Sequence, residues 1–195
     1  MSHKYDIILD MKKFKLYFNA PITLSFVGIC LLALLLDFIT QGESTQTFFC
    51  TYNSSLLNPL TYFRLIGHVF GHADLSHLIS NALYILLLGP MLEEKYHDRL
   101  IIVIIVTAIV TGVIHNVIQP SVALLGSSGI VFAFILLSSI TGERQGIPVT
   151  LILVAILYLG EEVYSCITTA DNISQLTHII GGISGALLGL VFKER

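Results

Sequence analysis

Six long apolar runs cross the 195-residue chain, and they leave its backbone one way to fold. They cover roughly Pro21–Ile39, Ser76–Leu92, Leu100–Ile118, Ser128–Thr141, Pro148–Tyr164 and Gln175–Phe192. In hydrocarbon every backbone N–H and C=O must be satisfied within its own segment or around a closed barrel. No alternating strand pattern competes, and most runs approach the roughly 20 residues a helix needs to cross a bilayer. The expected fold is an all-α membrane protein, a bundle of six transmembrane helices. Charged residues make up only 12% of the chain, against about 25% in soluble domains. Mean hydropathy is +0.83.

The expected organisation is a tail over residues 1–20 and one membrane domain over 21–195, with an external loop at about 40–75. Placing the N-terminus in the cytosol puts Lys4, Lys12, Lys13, Lys15, Lys95, Arg99, Arg144, Lys193 and Arg195 inside, and only Arg64 outside. That bias predicts two cytosolic termini. The first apolar run is longer than a signal-peptide core, so it is expected to be retained. A net charge of -3 with no basic cluster beyond the tail excludes nucleic acid as an expected partner. Cys50 and Cys166 fall on the external side, where they either pair or stay as two free thiols. The loop carries Phe48, Phe49, Tyr62 and Phe63, which suit the membrane interface.

The fourth run is short, at 14 residues, and begins inside Gly126-Ser127-Ser128-Gly129. The second, fourth and sixth helices should run from outside to inside. At 1.5 Å per residue, Ser128, His178 and His77 lie about 20–22 Å above the inner ends of their helices, and Asn81 about 16 Å above. All four therefore share a layer roughly 10 Å below the outer surface of an approximately 30 Å core. His77 and Asn81, four apart, lie on one helix face. His178 shares a face with Gly181, Gly182 and Gly185, and Gly189 extends the stripe. The Gly185–Gly189 spacing lets another helix approach closely, with Gly129 and Ala133 as small partners.

Polar groups held in lipid are costly and ask for a functional explanation. A serine hydroxyl becomes a competent nucleophile when an adjacent base removes its proton, and imidazole does this near neutral pH. Attack on a peptide creates an oxyanion that needs preorganised donors. The first N–H groups of the fourth helix are unpaired by helix geometry, and Asn81 and His77 can add side-chain donors. No Asp or Glu occupies this layer, so the arrangement is a Ser–His dyad. It calls for no cofactor and no metal.

These residues resemble the rhomboid family of intramembrane serine proteases over about residues 60–190. The resemblance rests on Gly126-Ser127-Ser128-Gly129, on His77-x-x-x-Asn81, on His178 with its glycine stripe, and on Arg64-Leu-Ile-Gly-His68-Val-Phe-Gly-His72. It implies a six-helix bundle with a water-filled cavity, Ser128 as nucleophile and His178 as general base. Asn81, His77 and the Ser128 N–H would form the oxyanion hole. The implied substrates are single-pass membrane proteins, cut within or near their transmembrane segment. The chain departs from the family in having Phe132, four residues after the serine, where Tyr commonly stacks on the catalytic histidine. It also has Phe63-Arg64 where Trp-Arg is common. Both changes are expected to tune activity.

His68, His72, His115 and Asn116 read as structural, and Glu161-Glu162 as the outer end of the fifth helix. Two other functions compete. An inactive rhomboid-like client-binding protein would be favoured by loss of Ser128 or His178, and both are present. A small His-lined transporter or metal carrier would use His68, His72 and His77, but no acidic partner falls at ligand spacing. No added domain or targeting segment is expected, and the expected location is a bacterial plasma (inner) membrane.

Overall fold

A computed structural model describes residues 17–140, 147–168 and 173–192, with the side chains of 158, 159 and 161–174 left aside. Its elements are helices: α1 (Pro21–Ile39), α2 (Pro59–Gly67), α3 (Leu75–Tyr96), α4 (Arg99–Ile118), α5 (Ser128–Ser138), α6 (Val149–Thr168) and α7 (Ile173–Phe192). A π turn at Thr45–Phe49 and a 3-10 turn at His68–Phe70 complete them. Among the described residues the only strand-like pairing is a single antiparallel bridge between Thr51 and Leu124.

Among the described residues, four helices are long and apolar enough to cross a membrane: Pro21–Ile39, Leu75–Tyr96, Arg99–Ile118 and Gln175–Phe192. Large apolar side chains such as Leu31, Leu83, Leu87, Leu187 and Val191 face outward, while Arg64, His68, His72, Asn81 and Glu93 are buried. That inside-out pattern is the one a protein solvated by lipid adopts. The chain is a multi-pass helical membrane protein.

Local chemistry fixes the helix ends. Pro21 starts α1, where its missing N–H costs nothing. The Asp74 side chain caps α3 by accepting from the His77 N–H at 2.7 Å. At its other end α3 holds α1: Glu93 accepts from the Ile22 N–H, the Thr23 N–H and the Thr23 hydroxyl at 2.8–2.9 Å. Lys95, two residues on, reaches the Ile140 carbonyl just beyond α5.

Helix α2 was not expected, because the 40–75 segment reads as a mixed loop. It is short, and its signal is local: Asn58 accepts from the Leu60 N–H at 3.0 Å and Pro59 opens the first turn. Helix α5 spans 11 residues and ends at Ser138, three short of the expected boundary. Thr141 itself lies outside the described residues, as do the tail lysines, Arg144, Lys193 and Arg195 and the side chains of Glu161, Glu162 and Cys166. Among the described residues Cys50 is a free, buried thiol whose Sγ donates to the Gln46 carbonyl at 3.6 Å.

Helices α5 and α7 pack with their backbones nearly touching. A Cβ on Gly181 would overlap the main chain of Gly129, and one on Gly185 would overlap the main chain of Ala133. At Gly189 the contact changes character, since an added Cβ would meet the side-chain ends of Ile140 and Leu137 at 2.6 Å. The stripe thus sets α5 directly against α7 at the end where Ser128 and His178 lie, and spaces them by side chains at the other.

Candidate active site

The approach of α5 to α7, with α3 on the other side, leaves a cavity of about 320 Å³. His77, Asn81, Ser128, Phe132 and His178 all line it. Ser80, Tyr84, Leu124, Leu125, Val131 and Thr177 complete the wall. Ser128, His178 and His77 are each half-buried, so they are reachable from the cavity. The four polar groups placed at one depth by helix arithmetic therefore share one space. Tyr84 was not anticipated, although it stands at i+7 from His77 and i+3 from Asn81, on the face those two define.

Two features show what the cavity can do. Among the described residues, buried Asn81 has an Nδ2 donor with no hydrogen-bond partner. Leaving such a group unpaired costs about 1–3 kcal/mol, so it needs an explanation. The second feature is α5 itself, whose N-terminus has no side-chain cap. Its first-turn N–H groups carry the positive end of the helix dipole. Beside them, the Phe132 ring lies 4.3 Å from the His178 ring, centroid to centroid, tilted by 47°.

The segment leading into Ser128 is tied down at each step. Thr51 and Leu124 exchange two backbone hydrogen bonds at 2.9 and 2.8 Å. The His115 Nε2 meets the Val122 carbonyl at 2.9 Å, and the Asn116 amide donates to the Thr51 hydroxyl at 2.8 Å. The Gly126 N–H donates to the His68 carbonyl at 2.9 Å. Gly126 has φ +119, where an L side chain is strained, and an added Cβ would stand 2.9 Å from His77. The backbone conformation there calls for glycine, and a side chain would also crowd the His77 ring.

His68 and His72 are each held by a separate contact. The His68 Nδ1 faces the Arg64 carbonyl at 3.2 Å, whereas the His72 Nε2 meets the Ser127 hydroxyl at 3.1 Å. Burial holds His68 down to about 4, against the upward pull of the Arg64 carbonyl. Burial also lowers His72 to about 4, helped by His77, whose ring lies 5.0 Å away. Among the described residues, no group of three or more His, Cys, Asp or Glu is placed to hold a metal ion. Arg64 is buried, donating from Nε to the Thr47 carbonyl at 2.9 Å with its guanidinium 4.6 Å over Tyr52. The Cys50 thiol is raised by burial and drawn back by Arg64.

The family model described as "Rhomboid domain" matches residues 59–195. The chain belongs to the rhomboid family. It is 27% identical over 175 residues to a protein named Rhomboid protease GlpG from Yersinia pestis (strain Pestoides F). To the protein of the same name from Serratia proteamaculans (strain 568) it is 26% identical over 175 residues. Each alignment covers 86% of this rhomboid chain and 61% of the relative. The chain thus spans less than two thirds of the relatives' length.

Proposed function

We propose that this rhomboid chain is an intramembrane serine endopeptidase that cuts single-pass membrane proteins within or near their transmembrane segment. The observation that carries the reading is the convergence of Ser128, His178, His77 and Asn81 on one cavity, with the Asn81 donor unpaired. The relatives' name, Rhomboid protease, points the same way.

In the proposed reaction the Ser128 oxygen adds to the scissile carbonyl carbon while its proton passes to His178. The carbonyl oxygen becomes an oxyanion held by the Ser128 N–H, the Asn81 amide and His77. The C–N bond then breaks, with His178 returning the proton to the leaving amine. Water, its proton taken by His178, releases the acyl group and restores Ser128. Phe132 holds the His178 ring by stacking without a hydroxyl. The Gly129, Gly181, Gly185 and Gly189 contacts set α5 and α7 at the distance this requires. Helices α1, α3, α4, α5, α6 and α7 would form a six-span domain with cytosolic termini in a bacterial plasma membrane.

The test is cleavage of a single-pass membrane substrate by the purified protein in detergent. Ser128→Ala and His178→Ala should each abolish cleavage while the helical content and melting temperature are kept. Undiminished cleavage by Ser128→Ala would sink the mechanism.

A further inference from the structure

A second Ser–His contact lies one residue from the proposed nucleophile. Ser127 and His72 are each about 1% exposed, and neither lines the cavity. The geometry fixes which atom donates. The His72 Nδ1 sits 3.2 Å from the Phe70 carbonyl, which can only accept, so Nδ1 carries the proton. The Nε2 is then the acceptor, and the Ser127 hydroxyl donates to it at 3.1 Å. Although this resembles an activated serine, no substrate carbonyl can reach Ser127 Oγ from the cavity.

The contact matters because of where Ser127 stands. It is the N-cap residue of α5, and a serine there normally turns its oxygen onto the N–H groups of the first turn. Here the side chain makes no such bond. The Ser127 carbonyl serves Ile130 and Val131 at 2.9 and 3.0 Å, while the hydroxyl is held by His72 on another segment. A capping oxygen would bond the N–H of Gly129 or Ile130, next to the Ser128 N–H, and set its partial negative charge against the positive helix end that an oxyanion has to use.

We propose that His72 is a positioning residue that holds the Ser127 hydroxyl away from the α5 cap and so keeps the oxyanion site open. The inference rests on the protease reading. The groups facing His72 are His77 at ring contact, the Asp74 carboxylate, the Phe70 carbonyl and Ser127. Burial keeps the ring neutral near pH 7, which preserves Nε2 as an acceptor.

The experiment is covalent labelling of the full chain in detergent by a fluorophosphonate. Ser128 Oγ bonds to phosphorus, fluoride leaves with the serine proton, and the P=O oxygen sits in the oxyanion site. Cleavage kinetics run alongside. His72→Leu should lower the labelling rate and kcat about tenfold with KM unchanged, as a partly blocked set of donors would. Adding Ser127→Ala should restore about threefold or more of that loss, because the competing oxygen is gone. His72→Gln, which keeps an acceptor near the Nε2 position, should stay closer to the parent and serves if His72→Leu does not fold. A merely structural role predicts no rescue. A double variant no faster than His72→Leu, or His72→Leu and His72→Gln both labelling at the parent rate, would overturn the inference while leaving the protease reading intact. Absence of labelling in the folded parent would overturn the protease reading and this inference with it.

Discussion

The two ends of the bundle are held together by different physics. At the cavity end, buried and half-buried polar side chains do the stitching: Arg64 on Thr47, His115 on Val122, Asn116 on Thr51 and His72 on Ser127. There α5 and α7 also touch backbone to backbone at Gly129–Gly181 and Ala133–Gly185. One apolar core runs from Val69, Leu78 and Ile130 down to Leu92, Tyr96, Leu100 and Val103, and at the opposite end it carries most of the packing. Two charged clasps from α3 supplement it, Glu93 on α1 and Lys95 beyond α5. Apolar packing is nondirectional and tolerates small shifts. Hydrogen-bonded loops and bare backbone contacts are directional and hold atoms in place, and a reacting group misplaced by about 1 Å can lose about 10²-fold in rate.

Breaking the cavity end at its unpaired donor should show the largest effect. Asn81→Ala is expected to lower kcat by about 10²–10³, the usual contribution of one oxyanion donor. The melting temperature should hold or rise, since Nδ2 has no partner to lose. A fall in stability with unchanged kcat would reassign Asn81 to packing.

The glycine stripe sharpens the comparison within one pair of helices. Gly181→Ala drives a methyl into the Gly129 main chain, which cannot give way, whereas Gly189→Ala meets two flexible side-chain ends. The first should cost about 1–3 kcal/mol with loss of activity, and the second under about 1 kcal/mol with activity kept. Thermal unfolding in detergent beside cleavage rates reads both. Equal costs would remove the distinction between the two ends.

The smallest expected effect is with pH. His68 and His72 have folded values of about 4 against an ordinary 6.5. The unfolded chain therefore takes up protons first as pH falls, and stability drops between about 6.5 and about 4. His68→Gln should flatten part of that slope. A melting temperature constant from pH 7 to pH 4.5 would contradict the buried, neutral state of both rings.

What the sequence made legible follows the same division. The apolar runs gave the helices because hydropathy and length decide them. Ser128, His178, His77 and Asn81 came together on paper because depth along a helix is simple arithmetic. Helix α2 escaped, being too short for periodicity to show, although Asn58-Pro59 is a helix start that a closer reading of caps finds. The bond between His72 and Ser127 was not readable at all. It joins residues 55 apart through a loop path that only the packed structure defines. Glu93 was silent for a related reason, since nothing local says that the first turn of α1 ends on it.

The central claim is that Ser128, activated by His178, is the nucleophile. Mapping the fluorophosphonate adduct by mass spectrometry tests it most directly. The account predicts one adduct, on Ser128, absent from His178→Ala although that variant stays folded. An adduct on Ser127, or labelling undiminished in His178→Ala, would contradict it.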